Sequence, residues 1–441
     1  MGSHPKKLLS RRLLLRCFLI LVLVLVSPLL MPGERANDKG SERVNAADQM
    51  EKPYLVLVSI DGFRWDFPDL QNTSALDQLA ANGLKAEALQ PVFPTLTFPN
   101  HYSIATGLLP RNHGIVANEF PHEDGDRWYH YKDRGTVQDG KWYLAEPIWV
   151  TAEKQGMVSA AYYFVGTEAD VAGVRPSYWY AFDASISGEE RVQQVLSWLS
   201  EPPLTRPHLI TLYFEDVDDN THWHGPGSVQ SLEAIQRVDT WLQLLLDGIK
   251  GLAHGKEIYV MLVSDHGMAS YRAAEPTLVL DQFINLEGTR IVEGGPYVFI
   301  HLDDPDLVRA GQMRDAINRR WTCGRALLPG QAPPAWNLGN NARNPDLIVI
   351  ANPGCSVIST PQKRNKITPG DHGWPPEMLE MKGIFYAMGL RIPAGMQIGV
   401  VQATDIYPLM LSILGLSSPH PVDGNPDWLP SLLLPVQATD P

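Results

Sequence analysis

Thr97 lies in the stretch Pro94-Thr95-Leu96-Thr97-Phe98-Pro99-Asn100-His101. Pro99 has the fixed φ of a first helical turn, and the run from His101 to Thr106 can continue that helix until Gly107 stops it. Thr97 and Phe98 are then expected just ahead of a helix N-terminus, where free N–H groups and the dipole favour a phosphate or another tetrahedral anion. A hydroxyl there is either a helix cap or a nucleophile, and a nucleophile needs a group that lowers its pKa. Four other motifs supply candidates: Asp61, Asp218 with His222, Asp265-His266-Gly267, and Asp371-His372-Gly373. Taken singly, an Asp-His pair is more often a salt bridge or a turn than a metal site. Taken together, oxygen and imidazole ligands without thiolates suit zinc in a catalytic setting, and six of them with Thr97 make two sites rather than one.

The elements that must carry these residues are legible from periodicity. Tyr54 to Ile60 is a continuous apolar run, the pattern of a strand buried on both faces, and it ends at Asp61. Val158 to Phe164, His208 to Phe214, Glu257 to Val263 and Gly383 to Met388 repeat that pattern. Helix-length segments lie between most of them, the clearest with Leu232, Ile235, Val238, Leu242 and Leu245 at helical spacing. Asp218 and His222, four apart, share a face if their segment turns helically. Ser270 to about Val357 reads as a smaller inserted lobe with a charged helix over 306–320. Pro121 to Tyr143 reads as a surface loop or hairpin. The class is therefore α/β with a mainly parallel sheet, and chemistry in such sheets gathers at the carboxyl ends of strands.

The 441 residues suffice for one large core with an inserted lobe. Lys6, Lys7, Arg11, Arg12 and Arg16 precede an apolar run from Cys17 to Met31, and Val44-Asn45-Ala46 fits a small-residue cleavage site. Residues 1–46 are read as a signal peptide or an uncleaved anchor, which makes the protein exported, periplasmic or extracellular. That leader holds eight of the 36 Lys and Arg and three of the 49 Asp and Glu, so the rest of the chain has a formal charge near −18. So acidic a surface argues against a nucleic acid polymer as partner. Outside the leader only Cys323 and Cys355 remain, able to form one disulfide or to stay as two thiols.

Ser59-Ile60-Asp61-Gly62-Phe63-Arg64, Thr97-Phe98-Pro99-Asn100-His101-Tyr102, Asn112-His113-Gly114-Ile115, Asp218 with His222, Ser264-Asp265-His266-Gly267-Met268 and His372-Gly373 resemble the nucleotide pyrophosphatase/phosphodiesterase family of the alkaline phosphatase superfamily. The likeness runs from about Tyr54 to the neighbourhood of Gly424. It implies an alkaline-phosphatase-like sheet with helices on both faces and a small inserted α+β lobe. The catalytic domain would be 50–425, with the lobe at 270–357 and a tail at 426–441. Carried over by residue, the resemblance implies one zinc held by Asp218, His222 and His372 and a second by Asp61, Thr97, Asp265 and His266. Asp216 and Asp219 compete with Asp218, whose spacing to His222 favours it. Asn118 matches a donor to a phosphoryl oxygen, Phe98 an aromatic that stacks on a nucleobase, and Phe182, from the cluster Tyr178, Trp179, Tyr180 and Phe182, the opposite wall. His101 and His113 read as supporting or packing residues.

The implied reaction is attack by Thr97 on phosphorus, a phospho-threonine intermediate, and release of a nucleoside 5′-monophosphate, with the backbone N–H of Thr97 or Phe98 stabilising the charge that develops. A lysophospholipid or choline-phosphate diester is the alternative substrate on the same groups. A phosphomonoesterase or a non-catalytic metal-stabilised binding protein are the remaining readings. The partner is a small phosphodiester; no stable protein partner is implied, and a membrane only if the leader is retained.

Overall fold

The computed structural model describes residues 43–271 and 277–435, so the leader up to position 42 and the tail from position 436 lie outside the described residues. Every residue of β1 (Tyr54–Ile60) is buried, as its unbroken apolar run requires. The pleat sends Leu55 and Leu57 to one face of the sheet and Val56, Val58 and Ile60 to the other, where each joins a separate apolar cluster. Around β1 an eight-stranded sheet is built from β2 (Leu84–Ala86), β3 (Ser159–Tyr162), β4 (Tyr178–Trp179), β5 (Leu209–Phe214), β6 (Ile258–Val263), β7 (Phe385–Met388) and β8 (Met396–Ile398), in the order β8-β2-β7-β6-β1-β5-β3-β4. Pairing is parallel from β6 through β1, β5 and β3 to β4, and antiparallel where β7 meets β6 and β2.

Helices cover both faces. α1 (Ser74–Asn82), α3 (Gly188–Leu199) and α5 (Val229–Gly251) bury their apolar stripes with Val56 and Val58; α2 (Thr97–Thr106) and α6 (Ile406–Leu414) pack with Leu55 and Leu57. The remaining helix that matters, α4 (Asp216–His224), follows β5 directly. This is the expected α/β class with a mainly parallel sheet and helices on both faces. Between β6 and β7 the chain forms a second sheet from Thr289–Glu293, Tyr297–Leu302, Gly324–Leu327 and Leu347–Ala351, backed by a helix at Leu307–Asn318. Cys323 and Cys355 are bonded across its edge, which resolves the alternative left open by the sequence.

One detail differs from the expectations. Thr97 is the first residue of α2 rather than a residue ahead of it, and Leu96 is the N-cap. Pro99 therefore sits at the third helical position, whose N–H has no acceptor within the helix, so proline there costs no hydrogen bond. The N-cap Leu96 makes no side-chain cap, and the Thr97 hydroxyl faces His266 Nε2 at 3.4 Å. At the other end of the described chain Asn45, 3% exposed, donates to the Pro203 and Arg206 carbonyls and accepts from the Val158 N–H. A cut after Ala46 gives up those three bonds. Among the described residues no helix is long and apolar enough to cross a membrane.

Candidate active site

The sheet delivers the candidate ligands to one point because β1, β5 and β6 run parallel and end side by side. Asp61 follows the last residue of β1, Asp265 lies two residues beyond β6, and α4 starts two residues beyond β5. One helical turn separates Asp218 from His222 on α4, and His222 Nε2 lies 3.4 Å from Asp218 Oδ2. Gly62 permits the approach of α4 to β1. It has φ +65°, and a Cβ there would sit 2.7 Å from Asp218 Oδ1. Asp371 and His372 arrive from the segment that pairs with Ala269 and Ser270 after β6.

Asp218, His222 and His372 offer ligand atoms that all lie within 4.8 Å of one another, and Asp61, Asp218 and His266 form an adjoining group. His266 Nε2 is the centre of the second cluster, 3.4 Å from Asp61 Oδ1, 3.0 Å from Asp265 Oδ2 and 3.4 Å from Thr97 Oγ1. The seven residues expected at the metal sites are thus brought together. Asp216 instead pairs with Arg237 at 3.1 Å, and Asp219 lines the adjacent cavity, so Asp218 is the carboxylate that faces the imidazoles.

Three observations fit these groups to metal cations. Each imidazole points its Nδ1 at a backbone carbonyl: His222 at Gly370 (2.9 Å), His266 at Gly267 (2.9 Å) and His372 at Thr95 (2.8 Å). Those bonds place the proton on Nδ1 and leave the Nε2 lone pairs directed inward. Asp61 Oδ1, Asp218 Oδ1 and Asp265 Oδ2 are buried acceptors with no hydrogen-bond donor, a costly state unless a cation sits among them. Burial, then the neighbouring Asp265 and Asp218, pushes the Asp61 carboxyl well above its ordinary range. Burial, then His266 and His222, drives the His372 imidazole well below its own. A cation between the two sets relieves both strains at once.

The candidate ligands are held by surrounding residues. The Tyr213 hydroxyl donates to Asp61 Oδ2 at 2.6 Å. It lies within the apolar run of β5 and carries no motif of its own. His101, one turn after Thr97 on α2, faces Asp265 Oδ2 at 3.3 Å and Ser59 Oγ at 2.8 Å, a supporting position as its spacing suggests. His113 is buried against Ser103 Oγ.

A cavity of about 570 Å³ opens beside the cluster and reaches Thr97, Phe98, Asn118 and Phe182. The Phe98 N–H donates to Asn118 Oδ1 at 3.1 Å, so one of the two backbone donors expected to meet developing charge is engaged in orienting Asn118. The Asn118 amide nitrogen and the Thr97 N–H remain for that purpose. Phe98 stands edge-on to Tyr131 (5.8 Å), and Phe182 stands near Tyr163 (5.1 Å) and Tyr213 (6.2 Å). Of the aromatic cluster around position 180, Tyr180 stacks on Trp198 and belongs to the core, while Phe182 lines the cavity. Lys132, Arg134 and Glu168 complete the lining without having been singled out in the sequence.

The type I phosphodiesterase / nucleotide pyrophosphatase family matches residues 55–375. Ectonucleotide pyrophosphatase/phosphodiesterase family member 1 of Mus musculus is 29% identical over 394 residues, 87% of this chain and 43% of that protein, so the chain spans less than half of that relative. Bis(5′-adenosyl)-triphosphatase ENPP4 of Homo sapiens is 32% identical over 386 residues, 84% of this chain and 80% of its own. Among solved structures, murine ectonucleotide pyrophosphatase/phosphodiesterase 5, as an inactive variant in complex with AMP, superposes with a TM-score of 0.81 at 27% identity, covering 87% of this chain and 100% of that one.

Proposed function

Since the chain belongs to the type I phosphodiesterase / nucleotide pyrophosphatase family, we propose that it is an exported two-zinc hydrolase that splits nucleotide phosphodiester or pyrophosphate bonds and releases nucleoside 5′-monophosphates. The observation that carries this reading is the convergence of three inward Nε2 atoms and three unpartnered carboxylate oxygens on a cluster that includes Thr97 Oγ1. The groups are assigned as the resemblance implies: Asp218, His222 and His372 at one ion, and Asp61, Thr97, Asp265 and His266 at the other. When bound, zinc supplies Lewis acidity that stabilises an alkoxide and the charge on a leaving oxygen.

The chain's own residues do the rest. Thr97 attacks phosphorus from the start of α2 and becomes the phospho-threonine; the bond to the leaving group breaks, and water later restores the hydroxyl. The Asn118 amide and the Thr97 N–H donate to the non-bridging oxygens, Asn118 being held in place by the Phe98 N–H. Phe98 and Phe182 give the cavity aromatic faces suited to a nucleobase.

Initial rates on ATP, on a dinucleoside polyphosphate and on glycerophosphocholine, with zinc analysis of the purified chain, test the proposal. Thr97→Ala is expected to lower nucleotide hydrolysis at least 1,000-fold, in the range found on removing a nucleophile. Turnover of the choline ester without turnover of nucleotides would move the substrate to the phospholipid class. An unchanged rate in Thr97→Ala would end the proposal.

A further inference from the structure

We propose that the inserted lobe fixes one of the two ligand sets: Tyr271 and Asp371, clamped by Gly295, are positioning residues for Asp218, His222 and His372, and not for the set that contains Thr97. The inference rests on the metal reading above and gives a role to Asp371, the one carboxylate of the four motifs that the reading leaves unused.

Asp371, 6% exposed, lies immediately before one candidate ligand and touches both histidines of the set. Its Oδ1 accepts the His372 backbone N–H at 2.8 Å, which fixes the turn that presents that ring. The same oxygen lies 3.9 Å from His222 Nδ1, the nitrogen that donates to the Gly370 carbonyl at 2.9 Å. A carboxylate behind Nδ1 holds the proton on that nitrogen and makes Nε2 a stronger donor to a metal. The other oxygen, Oδ2, accepts from the Tyr271 hydroxyl at 2.8 Å. Tyr271 thereby sets the direction in which the carboxylate faces.

The lobe holds this pair in place. Gly295 lies just ahead of the lobe strand Tyr297–Leu302; its carbonyl accepts the Val357 N–H at 2.8 Å, and the Pro296 carbonyl accepts the Ala351 N–H at 2.8 Å. This pinned backbone stands so close to the pair that a Cβ on Gly295, whose φ is +68°, would collide with the Tyr271 hydroxyl and with Asp371 Oδ2. On the far side of His372 the chain meets the lobe again, since a Cβ on Gly373 would lie 2.6 Å from the Tyr297 ring. The His372 segment is thus seated by the lobe on both flanks. The other set is braced from the main sheet and α2, where Tyr213 donates to Asp61 and His101 faces Asp265. The two sets meet where the His266 and His372 rings stack at 3.7 Å, so a disturbance of the first reaches the second through that contact.

Zinc titration of the purified full chain against a chromogenic chelator resolves the sets when one is disabled at a time. His266→Ala leaves the set of Asp218, His222 and His372, and His222→Ala leaves the other. Removing a partner that orients metal ligands costs about 10- to 100-fold in metal affinity. We expect Tyr271→Phe, which removes one hydroxyl, to weaken zinc about tenfold in the His266→Ala background and less than about threefold in the His222→Ala background. Gly295→Ala, whose methyl group must displace the pair, should cost the first background at least as much. Adding Tyr271→Phe to Asp371→Ala should cost nothing more, because the hydroxyl acts through that carboxylate. Equal losses in the two backgrounds would mean that the pair supports the fold at large, and they overturn the inference. Unchanged affinity in the His266→Ala background overturns it too, while leaving the metal reading in place. If the native chain binds no zinc at all, the metal reading falls and the inference with it.

Discussion

Replacing Tyr213 by Phe removes one atom from the site and leaves the ring. The lost hydroxyl donates to Asp61 Oδ2 at 2.6 Å, a hydrogen bond to a group that must be ionised to hold a cation. Burial, and then Asp61 itself, raises the Tyr213 phenol well above its ordinary range, so it stays protonated and remains a donor at every working pH. A hydrogen bond to a charged group contributes about 1.5–3 kcal/mol, which converts to a loss of about 10- to 150-fold in zinc affinity, in line with the effect of removing partners of metal ligands elsewhere. The direction with pH follows from the same bond. It holds the Asp61 carboxyl down against burial and its two acidic neighbours, so removing it lets Asp61 keep its proton to higher pH. Protons then compete better with zinc, and the acid limb of zinc binding moves upward. Competition with a chromogenic chelator between pH 5 and 8 measures both quantities. Zinc affinity within twofold of the native chain, with the acid limb unmoved, would refute the argument. A drop in the stability of the metal-free protein with zinc binding unchanged would mean that the hydroxyl acts on the fold alone, which would also refute it.

Three further outcomes follow from other parts of the molecule. Chelation should abolish hydrolysis and lower the melting temperature by several degrees, since an ion present at 1,000 times its Kd adds about 4 kcal/mol; zinc should restore both and calcium should not. Breaking the Cys323–Cys355 bond by a double Cys→Ala substitution removes a cross-link over a separation of 32 residues and should cost about 3–4 kcal/mol, read as urea sensitivity. His113, buried at Ser103, has its pKa pushed down to about 3 chiefly by burial, so between pH 6.5 and about 3 the unfolded chain takes up a proton that the folded one refuses. Stability should fall with pH across that window by about 1.4 kcal/mol per unit from this group, and His113→Gln should flatten the slope by one proton in urea titrations at pH 4.5–7.

The residues that were easiest to read are those whose local pattern coincides with their tertiary role. Asp61 and Asp265 follow strands that are apolar throughout because both faces are covered, and a polar residue at such a boundary stands out. The spacing of Asp218 and His222 needed only one helical turn to be meaningful. Tyr213 was illegible for the opposite reason: within β5 its ring satisfies the apolar pattern, and only the neighbouring end of β1 gives its hydroxyl a purpose. Arg134 and Glu168 are 34 positions apart in segments without periodicity, and nothing local says that one will hold the other. All six residues of Tyr297–Leu302 are covered because the strand lies between two others of the second sheet with apolar clusters on its two faces, a burial that its place in the inserted lobe did not announce. Strand direction was equally hidden, since the composition of β7 does not reveal that it runs against β6. The helix was started two residues too late because Pro99 was taken for its first position, when the geometry puts it third.

The three carbonyls that steer the imidazoles belong to Thr95, Gly267 and Gly370, and the first and last candidate ligands, Asp61 and His372, are 311 positions apart. The two sets are complete together only once position 372 has been made. A polypeptide that stops before His372 keeps Asp61, Thr97, Asp265 and His266 but lacks the imidazole that joins Asp218 and His222. Retention of a full complement of metal would thus report that the chain has been made past position 372 and has folded.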